Sequence, residues 1–299
     1  MTESLLVFDR LLVRRRRSRA AQLNPANFLL DRAADDLADR LAAVLRRFDV
    51  AVDLGSPGEA VREALTRSNL VGTVVKADAI LPAARHPGQF LVADEEALPF
   101  GDGTLDLVVS VLALHLVNDL PGALVQIRRA LKPDGLFLAA LLGGDTLSEL
   151  RQSFAAAESE VEGGASPRVA PFADLRALGA LLQRAGFALP VTDVDRITVR
   201  YDSALALMGD LRRMGATNTL VARRRTPLKR ATLMRATEIY AERFSDADGR
   251  VRATFEMIWL SGWAPHPDQQ QPLRPGTAKT RLADALGTRE VSAGEKAGR

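Results

Sequence analysis

The sequence predicts a doubly wound α/β protein with a mostly parallel sheet, on three observations. Short apolar runs alternate with helix-period stretches through the first half of the chain. The first run ends in a Gly/Pro turn, Asp53-Leu54-Gly55-Ser56-Pro57-Gly58. Acidic residues stand at the ends of three successive runs, at Asp53, Asp78 and Asp94. Strands covered by helices on both faces read as continuous apolar runs, which distinguishes parallel sheets from half-exposed antiparallel ones.

Residues 31–48 carry Leu37, Leu41, Val44 and Leu45 at helical spacing and are expected to form a lead-in helix. Strands are expected at 50–54, 71–77, 89–93 and 105–110. A helix follows, capped by Asn118 or Asp119, with Pro121 in its first turn and Leu120, Leu124, Ile127 and Leu131 on one face. Lys132-Pro133-Asp134-Gly135 ends it, and residues 136–142 make a fifth strand. Residues 145–162, 173–185, 204–214 and 230–243 read as helices, with Gly186 stopping the second of these. The alternation over 191–201 suits a hairpin or a paired edge strand. The expected organisation is an arm and lead-in helix over 1–48, a cofactor-binding core over 49–202, a helical elaboration over 203–290 and a disordered tail over 291–299.

Of the 299 residues 47% are hydrophobic, so a core of ordinary size needs no covalent staple. No cysteine is present, which excludes disulfides, thiolate catalysis and cysteine-ligated metal and fits a reducing cytoplasm. The net charge is only +3, but arginines cluster at Arg14, Arg15, Arg16, Arg17 and Arg19 and again at Arg223, Arg224 and Arg225. Such clusters suit an acidic partner or lipid surface, and the plainer reading is a solvated basic face. Aromatic residues do not interleave with them, so nucleic-acid binding is not expected. The most apolar run, 136–142, falls far short of the ~20 residues of a membrane span. Arginines arrive before an apolar signal region can form, and Glu3 and Asp9 count against a transit peptide. A cytoplasmic location follows, with peripheral membrane contact at most.

Sheets of this class bind ligands beyond the carboxyl ends of their strands, where the winding reverses. Gly55 and Gly58 let the backbone turn close to a ligand, and a helix beginning near Glu59 presents its amides there. Asp78 is placed to accept both hydroxyls of a ribose. Asp94 and Glu95 can accept from an adenine amino group, and Ser110 closes the fourth strand beside them. Each acid alone reads equally as a helix cap or solvated loop residue; together they predict a nucleoside pocket. His115, in the loop after the fourth strand, is a candidate base near neutral pH or a structural histidine. Asp145 either caps the following helix or receives a substrate guanidinium. His86, His115 and His266 are too scattered for a metal triad, no His-x-Asp pair appears, and no metal is expected.

The segments Ala93-Asp94-Glu95-Glu96-Ala97-Leu98-Pro99-Phe100, Asp106-Leu107-Val108-Val109-Ser110 and Leu131-Lys132-Pro133-Asp134-Gly135 resemble the motif series of the class I S-adenosylmethionine-dependent methyltransferases. The resemblance implies a seven-stranded sheet and S-adenosyl-L-methionine as cofactor. It places Asp53 at the methionine amino end, Asp78 at the ribose and Asp94 at the adenine. A narrower resemblance covers nearly the whole chain. Leu6-Val7-Phe8-Asp9-Arg10, Gly143-Gly144-Asp145-Thr146-Leu147-Ser148-Glu149-Leu150-Arg151 and Glu162-Gly163-Gly164-Ala165-Ser166-Pro167-Arg168 are similar to the subfamily of respiratory complex I assembly factor 5 and its alphaproteobacterial relatives. So are Asp210-Leu211-Arg212-Arg213-Met214-Gly215-Ala216-Thr217-Asn218 and Arg274-Pro275-Gly276-Thr277-Ala278. That implies a role in complex I assembly through hydroxylation of an arginine on a quinone-site subunit. The chain departs from the pattern at Pro57 and Glu59, where typical members have glycine. Glu59 sets a carboxylate where the methionine carboxylate would approach. Two further readings therefore stand beside the first: a methyltransferase acting on a small-molecule or carrier-bound acid, and a non-catalytic assembly factor with a degenerate cofactor site.

Overall fold

The computed structural model describes residues 6–82, 88–268, 284, 287 and 288. The chain divides into two compact units, 1–265 and 266–299, and the first contains the whole sheet. His86, the segment 274–278 and the tail 291–299 lie outside the described residues.

Seven strands form one sheet: β1 (Phe48–Leu54), β2 (Val71–Asp78), β3 (Gln89–Val92), β4 (Leu105–Val111), β5 (Leu131–Leu142), β6 (Ala188–Tyr201) and β7 (Val251–Trp263). Their order is β3-β2-β1-β4-β5-β7-β6. The first five are parallel, and β7 runs antiparallel between β5 and β6. The winding reverses between β1 and β4, so the ligand crevice expected of this topology opens at their carboxyl ends.

Among the described residues eight helices flank the sheet: α1 (Arg10–Ala20), α2 (Phe28–Ala42), α3 (Ala60–Arg67), α4 (Leu120–Ala130), α5 (Ser148–Glu162), α6 (Leu175–Arg184), α7 (Ala204–Arg213) and α8 (Arg230–Phe244). One face of the sheet packs Val52, Leu54, Val108 and Phe137 with Leu124 and Ile127 of α4 and Leu178 and Leu182 of α6. The other packs Ala51, Leu107, Val109 and Leu138 with Leu37 and Leu41 of α2 and Val61 and Leu65 of α3. A third cluster joins Leu150 and Phe154 of α5, Leu207 of α7 and Ile239 and Tyr240 of α8 to Phe255 of β7. Asp119 caps α4 by accepting from the Gly122 N–H at 2.8 Å, and Asp174 caps α6 through Ala177 at 2.7 Å.

The lead-in helix stops at Ala42 instead of reaching residue 48. Phe48 belongs to β1, where its N–H donates to the Leu70 carbonyl at 2.8 Å, and Leu45 is fully exposed. The Lys132–Gly135 turn exists but lies inside the bounds of β5. Leu105 pairs with Leu131 and Leu107 with Leu136, so the turn is extruded as a wide irregularity, with Asp134 at φ +58°. The displaced register also sends Leu105 and Leu107 to opposite faces, although they are two residues apart. Residues 145–147 are a turn rather than the start of a helix, because the Leu147 N–H is committed to the Thr254 carbonyl of β7 at 2.7 Å. Two elements went unread in the sequence: α1, and β7, whose alternating Val251, Ala253, Phe255, Met257 and Trp259 are all buried.

The loop after α5 is held by a buried carboxylate. Glu158 accepts from the Ser166 N–H at 2.6 Å and from Arg168 Nε at 2.8 Å, and its side chain has no exposed surface. Burial pushes the Glu158 carboxyl up, but the Ser166 and Arg168 donors outweigh it and hold the group below its ordinary value. Its contribution to stability is therefore present above the unfolded value of about 4.5 and is lost as pH falls through the lower folded value. Arg168→Met is expected to lower the stability measured by urea unfolding at pH 7 by about 3 kcal/mol, because it strands a buried charge. The deficit should shrink below pH 4.5 as Glu158 takes up a proton; a deficit that stays constant with pH would contradict this account.

Candidate functional site

The carboxyl ends of β1, β2 and β3 bring Asp53, Asp78, Asp94 and Glu95 to one side of the sheet, with Gly55 and Gly58 in the turn after β1. Gly55 and Gly58 adopt φ of +68° and +60°, which glycine tolerates without strain. A side chain at Gly55 would also collide with Glu95, whose Oε1 lies 2.5 Å from the position of a Cβ.

Asp53 is fully buried. Its Oδ2 lies 3.1 Å from Lys76 Nζ of the neighbouring strand, while Oδ1 has no partner among the described residues. Lys76 Nζ also donates to the carbonyls of Ser56 at 2.9 Å and Gly58 at 2.6 Å. One ammonium thus neutralises the β1 acid and shapes the turn that follows it. Across the switch point, Ser110 Oγ donates to the Leu54 carbonyl at 2.8 Å, and the Val111 N–H donates to Ser56 Oγ at 2.9 Å. Ser110 is fully buried, and its hydrogen bond ties the ends of β1 and β4 together.

Asp78 Oδ1 accepts from the Ile80 N–H at 2.9 Å, and Oδ2 accepts from Arg17 at 2.9 Å. Burial raises the Asp78 carboxyl above its ordinary value, against the opposing pull of Arg17. Arg17 donates as well to the Gly55 carbonyl at 2.7 Å. Asp94 pairs with Arg10 at 2.9 Å and with Arg14, and Glu95 pairs with Arg10. Burial pushes Asp94 up, but the Glu96 N–H and Arg10 hold it below its ordinary value. Each of the four acids therefore has a cation from this chain, one from β2 and three from α1.

These cations correct the reading of the arginine run as a solvated face. Arg14 and Arg17 point to the acids, with Arg15 and Arg19 left exposed. Asp9 caps α1 by accepting from the Leu12 N–H at 3.0 Å. Asn118 grips the preceding backbone, its Oδ1 accepting from Phe8 N–H at 2.8 Å and its Nδ2 donating to the Phe8 carbonyl at 3.1 Å. The signals for Lys76 and α1 were in the sequence: a lysine inside a buried apolar run needs a partner, and Asp9 precedes a helical stretch as an N-cap.

Glu59 pairs with Arg62 of its own helix at 2.6 Å, and its side chain is 35% exposed. The charge that replaces glycine at the start of α3 is thereby compensated. Asp145 is exposed at the end of β5 and pairs with Arg196 of β6, away from the α1 arginines. His115 stands in the 3-10 turn Leu114–Leu116, edge-on to Phe172 with ring centroids 5.6 Å apart. Burial, then the Arg17 guanidinium, push its pKa down to about 3, so its ring is a neutral group and a weak base in this arrangement. Among the described residues no three His, Asp or Glu side chains cluster in metal-holding geometry.

Comparison with known proteins settles the family. The mitochondrial arginine hydroxylase NDUFAF5 of Danio rerio is 39% identical over 94% of this chain and 90% of its own length. The Homo sapiens protein is 41% identical, over 94% and 84% respectively. The chain belongs to the NDUFAF5 arginine-hydroxylase family. A methyltransferase domain model matches residues 52–139, β1 through most of β5, so this member of the family is built on a methyltransferase domain. The malonyl-[acyl-carrier protein] O-methyltransferase of Xylella fastidiosa (strain M23) is 34% identical over 87% of the chain and 89% of its own length. A putative methyltransferase of Bacillus halodurans has the same fold, with a TM-score of 0.53 at 17% identity over 77% of this chain and 98% of its own. The Danio rerio and Homo sapiens relatives carry "mitochondrial" in their names, and no helix among the described residues is long and apolar enough to cross a membrane.

With His115 held neutral by burial, its ring C–H resonances are expected to stay flat between pH 5 and 8 in NMR. A midpoint near the ordinary value of 6.5 would show that the ring is solvated and away from Arg17.

Proposed function

We propose that this protein binds S-adenosyl-L-methionine at the carboxyl ends of β1, β2 and β3 and modifies an arginine of a protein partner, a subunit near the quinone site of respiratory complex I, during assembly. The observation that supports the reading is the order of acids on three successive parallel strands beside the β1/β4 switch point: Asp53, then Asp78, then Asp94 and Glu95. Asp78 would take the ribose hydroxyls, and Asp94 and Glu95 the adenine amino group. Asp53, with its unpartnered Oδ1, lies next to the turn that would meet the methionine end. Gly55 and Gly58 supply the close backbone approach. Bound there, the cofactor supplies a methyl group activated by a sulfonium.

The chain's own residues shape the rest. Lys76 fixes the turn carbonyls, the hydrogen bonds of Ser110 and Ser56 lock the crevice floor, and the Glu59–Arg62 pair keeps the α3 amides available to a carboxylate. Support for an arginine substrate comes from the Danio rerio and Homo sapiens relatives, which are named as arginine hydroxylases. A cytoplasmic location goes with this reading.

The Xylella fastidiosa relative favours a second reading, methylation of a carrier-bound acid. The cationic compensation of every acid favours a third, a binding factor that uses no cofactor. Calorimetric titration separates them. Wild type is expected to bind S-adenosylmethionine, and Asp78→Ala to bind at least about tenfold more weakly through loss of the ribose acceptor. No heat with wild type would eliminate the first two readings. Mass spectrometry of the quinone-site subunit from cells lacking the protein should show an arginine lighter than in the parent strain, by one methylene for methyl transfer from the cofactor or by one oxygen atom for hydroxylation by dioxygen with an external two-electron reductant. An unchanged arginine with normal assembly would contradict the proposed substrate, and a methyl ester formed on malonyl carrier protein would favour the second reading.

A further inference from the structure

Arg10, Arg14 and Arg17 recur at intervals of four and three residues and so share one face of α1. That face is turned onto the acids of the candidate site. Arg17 is the most deeply engaged. Its guanidinium bridges the Gly55 carbonyl at the end of β1 and Asp78 Oδ2 at the end of β2. It therefore fills the space between the two strand ends and uses acceptors needed at both ends of a nucleoside-amino-acid ligand. The Nε atoms of Arg10, Arg14 and Arg17 are buried without hydrogen-bond partners among the described residues, so the contact leaves polar groups unsatisfied.

The attachment of α1 is mostly polar. Phe8, Val13 and Leu220 form the small apolar cluster beneath it. Its start is fixed by the Asn118 grip, by the Asp9 N–H donating to the Thr219 carbonyl at 2.9 Å, and by Asp9 pairing with Arg223 at 3.1 Å. Its far end rests on Gly215, where a side chain would come within 3.0 Å of the Arg17 Cα. Beyond Ala20 the chain is exposed through most of residues 21–27 before α2 begins. An anchored start, a free-running exit and few apolar contacts describe an element at the low end of the local stability range.

We propose that α1 is an internal strap that competes with the cofactor: Arg17 occupies the Asp78 and Gly55 acceptors, and a nucleoside enters only when the Arg17 end of α1 lifts from them. This rests on the cofactor reading above.

Two measurements on the full chain test the strap, with S-adenosylhomocysteine as probe. In calorimetry, Arg17→Met keeps the side-chain stem and removes the competing donor. It is expected to bind about tenfold more tightly than wild type, because the variant no longer has to open. Arg15→Met, on the exposed face, should bind as wild type does. In limited trypsin digestion of wild type, the probe should speed cleavage after Arg14, Arg16 and Arg17, with the cut sites assigned by mass spectrometry. This second readout stands even if Arg17→Met fails to fold. Weaker binding by Arg17→Met together with slower cleavage in the presence of the probe would overturn the proposal, since Arg17 would then clamp the ligand. Equal binding and unchanged cleavage would also overturn it while leaving the cofactor reading intact. Absence of binding to both proteins removes the cofactor reading and the strap with it.

Discussion

Four carboxylates meet at the carboxyl ends of β1, β2 and β3, and a carboxylate withdrawn from water is costly unless a cation or several donors meet it. Much of the surrounding structure follows from that requirement. Lys76 is placed within an apolar strand because Asp53 lies beside it, and its remaining hydrogens pull the Ser56 and Gly58 carbonyls inward. The α1 arginines meet Asp78, Asp94 and Glu95, which brings the N-terminal helix over the crevice. Segments distant in sequence then converge to seat that helix. Asn118 holds Phe8, Asn218 accepts from Arg16 and reaches the Pro167 carbonyl at 2.7 Å, and Gly215 lets α7 end against α1. The peculiar segments around residues 6–10, 162–168 and 210–218 thus share one structural task.

The fold was legible where a single period dominated. Parallel strands β1, β2 and β4, helix α4 with Asp119 as one of its two candidate caps, and helix α6 with its Gly186 stop follow from apolar runs and end signals. The errors have local causes. Leu45 fits the helical period of α2, but pairing of Phe48 with Val71 takes the chain into β1 first. Lys132 to Gly135 has turn composition and does turn, yet the sheet continues on both sides of it. β7 went unread although its alternation is clear, because its place between β5 and β6 is a long-range pairing that no local pattern announces.

At the site, strand-end position located the acids and the turn glycines, since the topology itself puts such residues at the crevice. Position along the chain says less about direction. Ser110 lies next to the end of β4 but turns its hydroxyl to Leu54, and Asp145, in the turn three residues beyond β5, pairs with Arg196 of β6. The role of the arginines was hidden for another reason: a basic cluster looks alike whether it faces water or an acidic crevice, and only the assembled fold distinguishes the two. The departures at Pro57 and Glu59 gain a physical reading in the same way. Gly58 keeps a positive φ within the turn, and Arg62 compensates the Glu59 charge.

The central claim is that the strand-end acids form a nucleoside site whose acceptors this chain covers with its own cations. A crystal structure of the protein with S-adenosylhomocysteine tests it most directly. The account predicts the ribose hydroxyls on Asp78, the adenine amino group at Asp94 or Glu95, and Arg17 withdrawn from both Asp78 and the Gly55 carbonyl. A complex with Arg17 still on Asp78 and the nucleoside bound elsewhere would contradict it.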